Sequence, residues 1–113
     1  MLENIWKRQY AFETAFFNPR KLTKKERIKW TKEFILCAHQ ELAEVMNSID
    51  WKTYHAYGKK KYSEQETREE IIDVLKFVLN LCIVWKMTPE VIYEEFQKKS
   101  DLTEKRLKKK AWK

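Results

Sequence analysis

The sequence is poor in glycine, proline and cysteine, and each scarcity excludes a class of protein. Its 113 residues include one Gly, two Pro and two Cys. Tight turns between strands and glycine-rich phosphate loops both need glycine, so neither a sheet protein nor a P-loop protein is expected. Two cysteines are too few for a disulfide-stapled secreted framework, which predicts a reducing, cytoplasmic setting.

Long apolar runs are also missing. The most apolar stretch, residues 71–85, contains Asp73, Lys76 and Asn80, and it is shorter than the roughly 20 apolar residues of a bilayer span. No membrane partner is therefore predicted. The chain does have 43% hydrophobic residues, including five Trp, five Tyr and six Phe, which are enough to build a core. At this length and composition the sequence predicts a single all-α domain over residues 1–113.

Capping motifs and hydrophobic periodicity predict a bundle of four to five helices. Thr23 with Glu26 and Ser63 with Glu66 are capping boxes, while Pro89 occupies the first position of another helix. The helices are predicted at about residues 2–17, 24–50, 63–85 and 90–99, followed by a basic tail at about 103–113. Whether residues 102–110 of this basic segment continue the fourth helix is left open by the sequence.

The third predicted helix is apolar nearly all round. Such a helix needs cover on every side, and one or two neighbouring helices of a small chain cannot provide it. A subunit interface would supply the cover, so a homo-oligomer is expected.

The charge of +7 is distributed unevenly along the chain. Basic residues are concentrated in residues 20–32 and 98–113, whereas acidic residues are concentrated in residues 33–50 and 64–73. Solvated helix faces, a nucleic-acid patch, and a metal site with phosphate-binding surroundings all fit this pattern.

Two pairs of acids stand out in the acidic middle of the chain. Glu41 and Glu44 are three residues apart on the second helix, and Glu70 and Asp73 are three apart on the third. If these helices lie antiparallel, the pairs face each other and form a four-carboxylate cluster. Their mutual repulsion would be relieved by a divalent cation, and an all-oxygen ligand set suits Mg²⁺ or Mn²⁺ rather than zinc.

The residues around these acids match a known family. Residues 41–52 read ELAEVMNSIDWK and residues 70–80 read EIIDVLKFVLN. The pair resembles the E-x-x-E and E-x-x-D signature of the all-α NTP pyrophosphatase superfamily, which includes MazG-like enzymes and dimeric dUTPases. The similarity covers about residues 31–106. It implies a MazG-like helical bundle that assembles as a dimer or tetramer.

The resemblance also implies an activity, namely Mg²⁺-dependent hydrolysis of a nucleoside triphosphate to the monophosphate and pyrophosphate. By position, Glu41, Glu44, Glu70 and Asp73 would hold the metal. Glu44 and Glu41 would be the catalytic residues, with Glu44 orienting or deprotonating the attacking water.

The same resemblance assigns residues to the nucleotide and favours dUTP as the substrate. Trp51 and Lys52 look like the W-K pair that follows E-x-x-E in dimeric dUTPases, and Tyr54 competes with Trp51 for stacking on the base. Gln9 resembles a glutamine that reads the uracil edge, and Asn80 an amide near the metal and nucleotide. The residues expected to contact the phosphates are Lys98, Lys99 and Arg106.

Two alternatives remain open at this stage. The first is the same chemistry on another nucleotide, such as dCTP or a purine dNTP. The second belongs to another class, a basic helical nucleic-acid-binding module without catalysis, because residues 105–113 form a basic segment that includes Trp112.

Overall fold

The computed structural model describes residues 1–49 and 63–111, and every regular element in these ranges is a helix. The all-α prediction is therefore confirmed for the described part of the chain. The elements are α1 (Leu2–Glu13), a short 3-10 helix (Pro19–Lys21), α2 (Lys24–Asn47), α3 (Glu64–Val84) and α4 (Pro89–Ala111).

Side-chain caps fix the beginnings of three helices. The Thr23 hydroxyl accepts a hydrogen bond from the backbone N–H of Glu26, and the Glu26 carboxylate accepts one from the backbone N–H of Thr23, both at 3.1 Å. The predicted capping box of α2 is thus confirmed. For α3 only half of the box forms, because the Ser63 hydroxyl accepts the N–H of Glu66 at 3.4 Å without a return bond. The Thr88 hydroxyl caps the first turn of α4.

One predicted helix end was wrong, and another that the sequence left open is now defined. The first helix ends at Glu13 rather than near residue 17, and Asn18 is extended because the residue before a proline avoids helical geometry. The fourth helix continues through the basic segment to Ala111. Residues 90–111 contain neither glycine nor proline, and their Lys, Arg, Glu and Leu residues favour helix.

The helices α2 and α3 pack along each other as an antiparallel pair, as the sequence predicted. Contacts between them pair early positions of one helix with late positions of the other: the Trp85 indole N–H donates to the Thr31 hydroxyl at 3.1 Å, and the ring centroids of Phe34 and Phe77 lie 6.3 Å apart. Helix α1 packs against α3 and α4. The buried apolar residues are Phe34, Leu79, Ile83 and Val84.

Much of the apolar surface of the single chain is uncovered. Several apolar side chains of α2 and α4 that follow the hydrophobic periodicity are exposed, because no described element of the chain packs over them: Ile28, Ile35, Leu42, Met46 and Phe96. On α3, the exposed stripe Ile71, Leu75 and Val78 faces away from Asp73. Within the described residues, no helix is both long and apolar enough to cross a bilayer.

Candidate metal and nucleotide site

Three carboxylates meet where the C-terminal half of α2 lies against the N-terminal half of α3. Glu41 comes from α2, and Glu70 and Asp73 come from α3; one carboxylate oxygen of each lies within 4.8 Å of the others. All three side chains are half-buried. Positions three apart share a helix face, and the antiparallel packing of α2 brings Glu41 onto the same face. We call these three residues the carboxylate group.

A hydroxyl pair joins the same ends of the two helices. The Oγ of Ser48, which is buried, lies 2.9 Å from the Oγ1 of Thr67. Ser48 also donates to the backbone carbonyl of Val45 at 2.7 Å, so within the pair the Thr67 hydroxyl acts as the donor. This bond holds the C-terminal end of α2 against the first turns of α3, one helical turn from Glu70.

Electrostatics in the carboxylate group disfavour full ionisation. Partial burial raises the pKa of Glu70, and the negative charges of Asp73, Glu41 and Glu44 raise it further. In the described ranges no Lys or Arg forms an ion pair with any member of the group. Half-buried acids without a cationic partner favour either a proton or a bound cation.

The fourth predicted carboxylate, Glu44, lies beside the group rather than in it. It is exposed and not among the three oxygens that converge, yet its charge contributes to the raised pKa of Glu70. The structure therefore brings together three of the four predicted metal ligands and places Glu44 nearby, where its carboxylate is open to water.

The chemistry of the carboxylate group fits a hard divalent cation. All its donor atoms are carboxylate oxygens, without His or Cys, which is the preference of Mg²⁺ and Mn²⁺ and not of zinc. Three protein ligands leave coordination positions for water and for phosphate oxygens, as magnesium usually requires.

A buried polar network connects α1 to α3 beside the carboxylate group. The Gln9 side-chain N–H₂ donates to Asn80 Oδ1 at 2.7 Å and to Glu13 Oε1 at 3.4 Å. Asn80 is 2% exposed and Glu13 is 5% exposed. Burial raises the pKa of Glu13, while hydrogen bonds from Asn80 and Gln9 partly oppose that rise.

An open cavity of about 610 Å³ lies between α1 and α3. Its volume falls within the range of roughly 300 to 1,000 Å³ that is usual for small-molecule sites. Gln9 lines it, together with apolar side chains and two cations: Phe12, Ile72, Leu75, Arg8 and Lys76. Lys76 follows Asp73 by one helical turn, but the described lining of the cavity includes none of the three residues of the carboxylate group.

Comparison with known families matches residues 1–111 of the chain to the dUTPase family. The chain belongs to the all-α dimeric dUTPase family. The suspected superfamily is confirmed, and the match extends beyond residues 31–106 to include α1, with Gln9 and Glu13. The chain matches no curated protein and no solved structure in the corresponding searches.

Other predicted residues of this dUTPase-family chain lie apart from the carboxylate group or outside the described ranges. Lys98, Lys99 and Arg106 are exposed on α4. Lys98 pairs with Glu95 on its own helix at 3.7 Å, and no ion pair in residues 63–111 involves Lys99 or Arg106. The predicted base and phosphate contacts that fall outside the described residues are Trp51, Lys52 and Tyr54.

Sequence reasoning did not single out the buried Glu13, which lies beside the predicted residues Gln9 and Asn80. A signal was present, because Trp6, Tyr10 and Phe17 mark one aromatic face of the N-terminal segment and Glu13 lies on that face, seven residues after Trp6. An acid on the inward face of a helix needs a hydrogen-bonding partner, and Asn80 and Gln9 supply it.

Proposed function

We propose that the protein is a Mg²⁺-dependent pyrophosphohydrolase that converts dUTP to dUMP and pyrophosphate. Family membership supports a dUTP pyrophosphatase-type activity. The observation that carries the metal dependence is the convergence of Glu41, Glu70 and Asp73 within 4.8 Å, with no ion pair to a Lys or Arg among residues 1–49 and 63–111. The activity would act on the nucleotide pool, which fits a cytoplasmic location and a single domain over residues 1–113.

We assign the roles of the four carboxylates from their exposure to solvent. Glu41, Glu70 and Asp73 would hold the metal, with Glu44 as a further ligand or a bridge through water. A bound Mg²⁺ would supply polarisation of the phosphoryl oxygens and a lowered pKa of water. Glu44 is exposed beside the group, so its carboxylate is placed to orient the attacking water and accept its proton, with Glu41 assisting.

The nucleotide would lie along α3, with its base toward α1. Gln9 lines the cavity and would contact the base, and Asn80, which accepts a hydrogen bond from Gln9 two turns of α3 after Asp73, would belong to the same nucleotide site. Trp51 or Tyr54 would stack on the base and Lys52 would meet phosphate. Lys98, Lys99 and Arg106, being exposed on α4, would contact phosphates of their own or of a neighbouring subunit.

The alternative of nucleic-acid binding without catalysis has one supporting feature, the exposed basic surface of α4. It leaves the carboxylate group without a role, and those acids would repel a phosphate backbone. Hydrolysis of dCTP or a purine dNTP by the same residues is the closer alternative.

A substrate panel tests the proposal directly. With Mg²⁺ present, we expect dUTP to release pyrophosphate faster than dCTP, dTTP, the purine dNTPs and the NTPs, and the nucleotide product to be the monophosphate. Release of orthophosphate from dUTP would contradict the reaction, and faster turnover of dCTP or a purine dNTP would reassign the substrate. Steeply salt-dependent DNA or RNA binding with no hydrolysis would favour the other class.

We also propose that the functional unit is a homo-oligomer. The apolar stripe Ile71, Leu75 and Val78 is exposed on the face of α3 opposite Asp73, so an interface there would leave the carboxylate group accessible. Leu75 also lines the cavity between α1 and α3, which would then lie at the edge of that interface. Such an interface would bury the apolar surface of α3 that the single chain leaves exposed.

Charged residues in the apolar stripe should dissociate the oligomer. We expect the wild-type protein to have a multiple of its 13.9 kDa chain mass by light scattering, and the variant Ile71→Lys/Val78→Lys to approach 13.9 kDa. Gln65→Lys, at an exposed polar position of α3, is the matched control and should keep the wild-type mass. A wild-type protein that is monomeric at micromolar concentration would contradict the proposal.

A further inference from the structure

The buried carboxylate Glu13 is not part of the carboxylate group that would hold the metal. It lies on α1, and its contacts are the amides of Gln9 and Asn80. In the described chain it forms no ion pair. A buried acid that is held only by two amides is expected to fix the orientation of those amides.

The hydrogen bonds of the Gln9 side chain determine which of its polar atoms remains available to a ligand. Its side-chain nitrogen carries two N–H groups; one is directed to Asn80 Oδ1 at 2.7 Å and the other to Glu13 Oε1 at 3.4 Å. A carboxylate oxygen accepts from the amide nitrogen, so Glu13 holds that nitrogen inward. The remaining polar atom of Gln9 is the carbonyl oxygen Oε1, and Gln9 lines the open cavity.

We propose that Glu13 is a positioning residue that sets base specificity, because it turns the Gln9 amide so that its carbonyl oxygen faces the cavity as a hydrogen-bond acceptor. This inference rests on the proposed function and names how the same site selects its base. The matching ligand is a pyrimidine that offers a ring N–H donor.

Uracil satisfies this requirement and cytosine does not. The hydrogen-bonding edge of uracil has a single donor, N3–H, between two carbonyl acceptors. In cytosine the same ring nitrogen is an acceptor, which would meet the Gln9 carbonyl oxygen without a shared proton. A site that leaves such a pair unsatisfied discriminates against the wrong ligand strongly.

The substitution Glu13→Gln tests the role of Glu13 with little change of shape. A glutamine at this position can donate to the Gln9 carbonyl oxygen, which allows the Gln9 amide to turn its N–H₂ toward the cavity. We expect the ratio of kcat/KM for dUTP to kcat/KM for dCTP to fall by roughly tenfold or more. Glu3→Gln, an exposed position on the same helix, is the matched control and should keep the wild-type ratio.

A double-mutant cycle distinguishes positioning from a general effect on folding. If Glu13 acts through Gln9, then Glu13→Gln should not change the ratio further in a Gln9→Leu background. The melting temperature and the oligomeric mass of each variant should be measured alongside. If Glu13→Gln is too unstable for kinetics, Glu13→Asp is measured instead, by binding of non-hydrolysable dUTP and dCTP analogues. Glu13→Asp should retain part of the wild-type preference for the dUTP analogue.

The outcomes separate this inference from the proposed function. If the wild-type protein hydrolyses dUTP and Glu13→Gln leaves the ratio of kcat/KM for dUTP to kcat/KM for dCTP unchanged, the role of Glu13 is overturned and the proposed function stands. An equal loss of both activities, additive effects with Gln9→Leu, or a change only in oligomeric mass overturns it as well. A wild-type protein that hydrolyses no nucleotide overturns both.

Discussion

Replacing Asp73 by alanine should lower dUTP turnover by on the order of 1,000-fold while the metal-free protein remains folded. The loss is expected because a metal supplies several kcal/mol of charge stabilisation in the transition state, and removing one of three converging ligands weakens its hold. Pyrophosphate release under saturating Mg²⁺ is the measurement. Asp101→Ala, which changes an exposed aspartate on α4, is the control and should keep wild-type activity.

The prediction also concerns the thermal stability of the metal-free Asp73→Ala variant. Asp73 is one of the charges that raise the pKa of Glu70 in the folded protein. A carboxyl whose pKa is higher in the folded than in the unfolded state destabilises the fold when it ionises, so the contribution of Glu70 to the stability of the metal-free wild type should increase as pH falls from neutral toward the ordinary Glu value of 4.5. Removing Asp73 reduces this repulsion, and the metal-free melting temperature at neutral pH should stay the same or rise.

Wild-type activity in Asp73→Ala would count against the assigned site. An unfolded variant would contradict the repulsion argument, since it would mean that Asp73 stabilises the packing of α2 on α3. Glu44→Ala extends the test: because Glu44 is exposed beside the carboxylate group, we expect loss of turnover with a largely retained response to metal.

Removing the metal should abolish activity and lower the melting temperature of the wild-type protein. A ligand that binds only the folded state at ten times its Kd adds about 1.4 kcal/mol to the free energy of unfolding. For a domain of this size that corresponds to a rise in Tm of roughly 5 to 10 °C. Thermal melts with EDTA, and then with Mg²⁺ or Mn²⁺ restored, measure the effect without substrate.

The same melts provide their own control. In Asp73→Ala the Mg²⁺-dependent rise in Tm should be largely lost, whereas Asp101→Ala should retain it. Activity that survives EDTA, together with a Tm that does not respond to Mg²⁺, would remove the metal from the proposed function.

The helices and the carboxylate group were largely predictable because both depend on local spacing. Thr23 with Glu26 located the start of α2, and the three-residue spacing of Glu70 and Asp73 placed both on one face of α3. Antiparallel packing then followed from a short connection between two amphipathic helices. These inferences need only helix geometry and the identity of capping residues.

What the sequence did not predict depends on contacts between distant segments. The burial of Glu13 requires α1 to lie against α3, a packing that no local spacing specifies. The exposure of Leu42, Met46 and Phe96 was missed for a similar reason, since periodicity identifies an apolar face without saying whether the chain or a second subunit covers it.

The Ser48–Thr67 bond has a consequence for engineering. It ties the two ends of the intervening segment to one point of the scaffold, so exchange of that segment for one of different length or composition need not shift the register of the helices that carry the acids. The joint therefore marks a grafting point at which new recognition sequences can be inserted without altering the packing of α2 on α3.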